Sequence, residues 1–218
     1  GCPDYTRFRL VPIVVNDGSS DRTREILEEL APRFGAVVLH LPVNLGIGKA
    51  VQAGFRYAVQ NLSPSVLLQL DGDGQHPAEE IEKIIDPILN GVAAVVVGSR
   101  YVPGAGGNVS SGFRRVGTAF FSLLLRAVVG VKIQDTTSGF RAFNRSAGEF
   151  LSRYYPDDYP EVQAYVPLAR KGFGILEVPV LMLPRRGGKS SITPVGSFYY
   201  MMKVAFATLI DRMRRLPR

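Results

Sequence analysis

Apolar and polar positions alternate along the first hundred residues, and the period of the alternation changes from segment to segment. Runs rich in valine, isoleucine and leucine predict buried β-strands; they occupy residues 10–15, 37–41, 66–70 and 92–97. Stretches of helical periodicity lie between them, at residues 22–34, 49–62 and 77–89. Strands that alternate with helices in this way predict an α/β domain, with a mainly parallel sheet flanked by helices.

Local end signals agree with these elements. Asp21 can cap the first helix, and Pro77 suits the start of the third. Gly35 and Gly91 stand where the first and third helices should end. We therefore expect three complete strand-helix units before residue 92.

The second half of the chain is less regular. A glycine- and serine-rich loop at 104–112 leads into a helix that ends at 129, and a helix near 161–171 and an apolar strand at 175–183 follow. The last helix, at 195–210, is apolar and precedes several arginines, which favours contact with an anionic membrane surface. We expect one domain over residues 1–194 and a juxtamembrane helix over 195–218. An amphipathic helix packed on the core is the alternative.

The composition is that of a globular protein with a basic surface. Of 218 residues, 46% are hydrophobic, and the formal net charge is +7. This excess suits a polyanionic partner such as a phosphorylated ligand or an anionic membrane. Nucleic acid is disfavoured because aromatic residues are not interleaved with the basic ones. The single cysteine excludes an internal disulfide and a multi-cysteine zinc site, and favours a reducing compartment.

Two carboxylates follow the predicted strand at 66–70. Asp71 and Asp73, with Gly72 between them, stand where open α/β sheets bind ligands. Such a pair can turn oxygens toward one hard cation, Mg²⁺ or Mn²⁺, which also takes phosphate oxygens. Gln75 and His76 could add a ligand or hold one in place. The alternative is an acidic turn that caps the next helix.

A second acidic turn, with Asn16 and Asp17, follows the first predicted strand at the same edge of the sheet. Its carboxylate could accept a hydrogen bond from a base or a ribose hydroxyl; a turn with a helix cap is the alternative. The Asn44–Lys49 turn, which contains Gly46, opens the next helix. It matches neither the dinucleotide fingerprint nor the P-loop, but it can meet an anion through Lys49 and the helix N-terminus.

Basic side chains gather in three loops and could grip phosphate oxygens; they are Arg100, then Arg114 and Arg115, then Arg185, Arg186 and Lys189. A solvated basic surface is the alternative for each of them. A binding role needs several of them to converge in the fold.

Together, these motifs resemble family 2 glycosyltransferases of the GT-A (Rossmann-like) fold, in particular the dolichyl- and polyprenyl-phosphate sugar synthases. The resemblance implies an inverting, metal-dependent transfer from a UDP- or GDP-sugar to a polyprenyl phosphate, at the cytoplasmic face of a membrane. It implies a donor site at Asn16, Asp17, Gly46, Lys49, Asp71, Gly72, Asp73, Arg186 and Lys189, with Asp71, Asp73 and Gln75 at the Mg²⁺ or Mn²⁺. The implied acceptor-phosphate site is Arg100, Arg114, Arg115 and Thr118, and Asp73, Asp135 and Glu161 are the catalytic candidates.

The chain departs from the family's pattern at Asn16, where the family has aspartate, and more seriously before that turn, where we expect it to lack the family's first β-α unit. The strand of that unit lies inside the sheet in the family. Other functions are a transferase with another acceptor, such as a polysaccharide, a phosphohydrolase that uses Asp71 and Asp73, and an inactive membrane-associated module. The sugar, the base and the oligomeric state stay open at this point.

Overall fold

Strands and helices alternate through the first half of the protein, as a computed structural model shows for residues 7–107, 112–157, 159–184 and 194–214. The elements are β1 (Ile13–Asp17), α1 (Thr23–Phe34), β2 (Val37–Leu41), α2 (Ile47–Asn61), β3 (Val66–Gln69), α3 (Ile81–Leu89) and β4 (Val95–Ser99). A 3-10 turn at Ala78–Glu80 leads into α3. These bounds lie within a few residues of the predicted ones. Thr23 N–H donates to Asp21 Oδ1 at 3.0 Å, although the N-cap position of α1 is Arg22, one residue later than predicted.

The second half contains the elements that the pattern predicted and others that it did not show. They are β5 (Gly106–Gly107), α4 (Gly112–Val129), β6 (Arg141–Asn144), α5 (Arg145–Arg153), α6 (Pro160–Gln163), α7 (Tyr165–Arg170), β7 (Ile175–Pro179), β8 (Leu181–Met182) and α8 (Pro194–Met213). The pattern did not predict β5, β6 or α5. The boundary between β6 and α5 is set by Asn144, whose side-chain oxygen accepts from the Ala147 N–H at 2.8 Å and caps α5.

The four-stranded sheet has the order β3-β6-β4-β7. Its strand β6 runs antiparallel to both β3 and β4, so these two strands are parallel to each other and end at the same edge. The first residue of β6, Arg141, pairs with Gln69 on one side and Val97 on the other. The chain therefore enters β6 between the ends of β3 and β4, beside the predicted metal-binding turn.

Strands β1 and β2 form a separate parallel pair. Among the described residues, β1 pairs with β2 alone and β3 with β6 alone. The β1–β2 pair is therefore not hydrogen-bonded to β3. The strands that we expected in one parallel sheet thus lie in two, one of which carries an antiparallel strand, and β5 pairs with β8 in a third.

Two apolar clusters cover the faces of the four-stranded sheet. One brings α2, α4, α5 and α7 together, and Phe55 in α2 makes edge-to-face contacts with Phe143 and Tyr155 at centroid distances of 5.3 and 5.8 Å. The other packs α3 against the opposite face through Ile84, Ile85 and neighbours. The edge where β3 and β4 end is thereby held rigidly between helices.

Helix α8 packs on the domain through its inner face, where Val204 and Thr208 are fully buried, and it contacts α4, α6 and α7. Its outer face exposes large apolar side chains such as Phe206 and Met213. In the part of the chain that the structure describes, no helix is both long and apolar enough to cross a membrane.

Candidate active site

The turn after β3 carries the predicted metal ligands. Gln75 N–H donates to Asp73 Oδ1 at 3.1 Å, and Gly74 adopts φ +73°, a left-handed conformation that favours glycine. The Gln75 amide donates from Nε2 to Leu183 O at 3.0 Å, while Leu183 N–H donates to Gln75 O at 2.9 Å. Since the nitrogen of the Gln75 amide is committed, its oxygen is the atom that a cation would take.

Asp71 lies against the backbone of Gly139, in the segment that leads into β6. A Cβ atom at residue 139 would collide with the Asp71 carboxyl group, so only glycine leaves room for it. The Asp71 side chain is 38% exposed. Its negative charge helps to raise the pKa of Arg100, of Arg141 and of Tyr155, which places it at the electrostatic centre of this edge.

Arg100 and Asp135 form a buried ion pair at the end of β4. Asp135 accepts from Arg100 Nη2 and Nε, each at 2.7 Å, and from the Arg100 backbone N–H at 3.0 Å. Their side chains are 10% and 0% exposed. Burial lowers the pKa of Arg100, but the hydrogen bond and charge of Asp135 outweigh it, and the net pKa is raised.

The pair involves two of the predicted site residues. Both oxygens of Asp135 accept N–H groups from Arg100 and its side chain is fully buried, and its catalytic role stays a prediction. Arg100 also donates from Nη2 to Thr137 Oγ1 at 3.2 Å, and its contact with an acceptor phosphate stays a prediction. Glu177 in β7 fixes the segment from the other side by accepting from the backbone N–H groups of Gln134 and Asp135, each at 2.7 Å.

Arg141 is a fully buried charge that the sequence analysis did not single out. Its guanidinium donates to the carbonyls of Ser138 at 2.7 Å, Pro160 at 3.3 Å and Glu161 at 2.7 Å, and it lies 4.8 Å from the Tyr165 ring centroid. The sequence feature that could have indicated this residue is an arginine inside an otherwise apolar run. Arg141 ties the start of α6 to the edge of the sheet, and this contact brings Glu161 to the site.

The predicted base, Glu161, lies in the first turn of α6. Its charge acts on Arg141 and Tyr155, the same buried groups that feel the charge of Asp71. Its use as a base stays a prediction.

The side chains of the turn after β1 form hydrogen bonds within the protein. Asp17 accepts from the backbone N–H groups of Leu45 at 2.7 Å and Gly46 at 2.8 Å, so it fixes the turn that precedes α2. Asn16 is buried, and its Oδ1 accepts from Ser19 N–H at 3.0 Å. Binding of the nucleotide by this turn stays a prediction.

Lys49, another predicted donor contact, pairs with Asp157 at 2.7 Å. The two side chains are 42% and 60% exposed, so the pair is weakly held and an incoming phosphate could compete for the lysine. Gly18 adopts φ +66°, and a Cβ there would meet the backbone of Val43 and Asn44, so this turn also needs glycine.

A cationic cavity of about 350 Å³ opens beside the Arg100–Asp135 pair. Three basic side chains line it, Arg115 and Arg126 from α4 and Lys132 from the loop that follows. Thr118 and Tyr101 add hydroxyl groups, and among the described residues that line the cavity none is acidic. It is suited to an anion. The Arg114 side chain, Arg185, Arg186 and Lys189 lie outside the described residues.

The donor set suits a cation that is shared with a ligand. Among the described residues, no group of three or more His, Cys, Asp and Glu side chains could hold a metal by itself. Two aspartates and one amide oxygen match Mg²⁺ or Mn²⁺, which protein sites of this kind bind through one or two carboxylates together with phosphate and water oxygens. The room left by Gly139 for the Asp71 carboxylate agrees with this use.

Comparison with known proteins decides the family. The sequence profile of glycosyl transferase family 2 matches residues 7–150. The chain belongs to this family. The family match leaves the phosphohydrolase alternative without support, and the chain is a glycosyltransferase by descent.

Two relatives of this family-2 chain have names that refer to polyprenyl phosphates or their mannosylated form. Polyprenol monophosphomannose synthase from Mycolicibacterium smegmatis is 32% identical, over 94% of this chain and 80% of that protein. Undecaprenyl-phosphate mannosyltransferase from Micrococcus luteus is 30% identical, over 83% of this chain and 75% of that protein.

The fold is shared with a solved glycosyltransferase. Glucosyl-3-phosphoglycerate synthase from Mycobacterium tuberculosis, crystallised with Mn²⁺, UDP-glucose and phosphoglyceric acid, superposes with a TM-score of 0.61 at 22% identity, over 92% of this chain and 67% of that one. The predicted GT-A-like fold is thereby confirmed.

Proposed function

We propose that this family-2 glycosyltransferase transfers a sugar, with inversion, from a nucleoside-diphosphate sugar to a polyprenyl phosphate at the cytoplasmic face of a membrane. The names of the two relatives support the acceptor class, since both proteins are mannosyltransferases of polyprenyl phosphates. Bound Mn²⁺ and UDP-glucose in the related fold support a divalent cation, Mg²⁺ or Mn²⁺, and a nucleotide-sugar donor.

The observation that carries the proposal is how the acidic edge and the cationic cavity are joined. Arg100 feels the charge of Asp71, and the next residue, Tyr101, lines the cavity. In the same way Asp135 binds Arg100, and the preceding residue, Gln134, lines the cavity. A donor diphosphate at Asp71 and an anionic acceptor in the cavity would thus meet across one rigid pair of segments.

The chemistry follows from the charges. An acceptor phosphate is already anionic, so its oxygen can attack the anomeric carbon without a strong base, and approach opposite the leaving group inverts that carbon. Arg115 and Lys132 would hold and partly neutralise this phosphate. Asp71, Asp73 and the Gln75 oxygen would hold the divalent cation, which supplies Lewis-acid stabilisation of the departing diphosphate. An acceptor with a neutral hydroxyl, such as a polysaccharide, would instead need Glu161 as base.

Exposed apolar side chains support a place at the membrane surface. Helices α4 and α8 are neighbours, with Gly117 close to Met201. On α4, Val116 and Leu123 are 65% and 68% exposed, and on α8 Phe206 is 68% exposed. Exposed basic side chains flank them, as amphipathic helices at anionic lipid surfaces require. The cavity, which α4 lines, would then lie beside the lipid that carries the acceptor.

A transfer assay tests the proposal. The full chain is incubated with polyprenyl phosphate in vesicles and with UDP-glucose, UDP-N-acetylglucosamine or GDP-mannose, with Mn²⁺, Mg²⁺ or a chelator. We expect one donor to give a metal-dependent glycosyl phospholipid, and Asp73→Asn to lower its rate by at least about 100-fold, as loss of an electrostatic stabiliser does. Asp86→Asn, which alters an exposed pair with Arg7, is the matched control. Near-normal transfer by Asp73→Asn with saturating Mn²⁺ would refute the assignment.

A further inference from the structure

His76 is a buried polar side chain that no contact within the described residues satisfies. Its side chain is 5% exposed, and neither ring nitrogen has a hydrogen-bond partner among the residues that the structure describes. A buried polar atom without a partner costs about 1–3 kcal/mol, so an imidazole left in this state at the edge of a site calls for a physical reason.

The ring of His76 is fixed beside the carboxylate of Asp71. Its Nε2 lies 3.8 Å from Asp71 Oδ2, which is too long for a hydrogen bond. The His76 ring also contacts the ring of Phe140, with the two ring centroids 4.9 Å apart and an angle of 31° between the ring planes. On another side the Asp71 carboxylate abuts the backbone of Gly139. The carboxylate is thus confined between a glycine backbone and an imidazole.

A movement of about 0.9 Å would bring Nε2 and Oδ2 to hydrogen-bonding distance, about 2.9 Å. A carboxylate that binds a metal through one oxygen is commonly held by a hydrogen bond to the rest of the group, and loss of such a partner weakens metal affinity by about 10- to 100-fold. Direct ligation by His76 is disfavoured, because Asp71, Asp73 and His76 do not form a cluster that could hold a metal within the described part of the chain.

We propose that His76 is a positioning residue for the cation site: its Nε2–H donates to Asp71 when the cation and the donor diphosphate are bound, and so orients the carboxylate. The inference rests on the proposed function, since it assumes a cation at Asp71 and Asp73. It explains why a polar ring is retained where phenylalanine would pack equally well against Phe140.

Three substitutions of His76 distinguish the effect of its N–H group from the effect of its ring. His76→Phe keeps the ring against Phe140 and removes the donor. His76→Gln removes the ring but places an amide N–H near the position of Nε2, whereas His76→Asn reaches only the position of Nδ1. Mn²⁺ binding to the full-length variants is measured by calorimetry and by loss of the free-Mn²⁺ electron paramagnetic resonance signal, with UDP and separately with GDP, and thermal unfolding reports the fold.

With the nucleotide that supports binding, we expect His76→Phe and His76→Asn to raise the Mn²⁺ Kd by about 10-fold or more, and His76→Gln to stay within about 3-fold of the native value. Equal Kd values for His76→Phe and the native chain would overturn the positioning role, as would loss of affinity in all three variants in step with their melting temperatures. A directly bound nitrogen in pulsed spectra of the Mn²⁺ complex would also overturn it. If the native chain shows no nucleotide-dependent Mn²⁺ binding, the proposed function fails together with this inference. If the native chain binds Mn²⁺ and His76→Phe binds it equally well, only this inference fails.

Discussion

Replacement of Asp135 by asparagine tests whether the buried pair with Arg100 supports the fold rather than the chemistry. The aspartate accepts three N–H groups from Arg100, and an asparagine could accept only through Oδ1, so its amide N–H groups would face the Arg100 backbone N–H and Nε. Removal of one partner from a buried ion pair costs about 3–5 kcal/mol because a buried charge loses its partner. For a chain of 218 residues, each kcal/mol shifts the melting temperature by about 2–4 °C. We expect a decrease of roughly 6–20 °C.

Thermal unfolding followed by circular dichroism measures this decrease, and transfer is assayed well below the new midpoint. Glu28→Gln is the control, since it breaks an exposed pair with Arg24 on α1 and should cost less than about 1 kcal/mol. Measurable transfer by the folded Asp135→Asn variant would agree with a structural role. A variant that melts with the native protein but has lost all transfer would refute the reasoning and favour Asp135 as a catalytic residue.

Two further predictions concern the cation site and the membrane surface. Gly139→Ala places a Cβ against the Asp71 carboxyl group and should weaken nucleotide-dependent Mn²⁺ binding by about 10-fold or more. Gly174→Ala is the control, since a Cβ there meets nothing within 4 Å. Equal Kd values of the two variants in calorimetry would contradict this prediction. Leu123→Glu and Phe206→Glu should each weaken binding to anionic vesicles by roughly 10- to 100-fold in flotation assays, because an exposed apolar side chain loses its burial in lipid. Ile26→Glu on α1 is the control, and flotation of all three variants like the native chain would exclude this surface.

Local pattern was sufficient for the first half of the fold and for the position of the acidic turn. Strands β2 and β3 and helix α1 lie within a residue or so of their predictions, because their period and their end signals are encoded within each segment. Asp71 and Asp73 could be placed at a strand end for the same reason. The combination of such turns was also enough to indicate the glycosyltransferase family.

The sequence by itself therefore determined the alternation of strands and helices, the family and the acidic turn. It could not determine which groups are used up by partners, because those partners are distant along the chain. Asp135 lies 35 residues from Arg100, and β6 enters the sheet between strands that precede it by more than forty residues. Only the tertiary structure showed that Asp135 and Arg100 satisfy each other, that Arg141 anchors α6, and that His76 is buried against Asp71. The physical reason is that burial and charge pairing depend on which segments the sheet brings together.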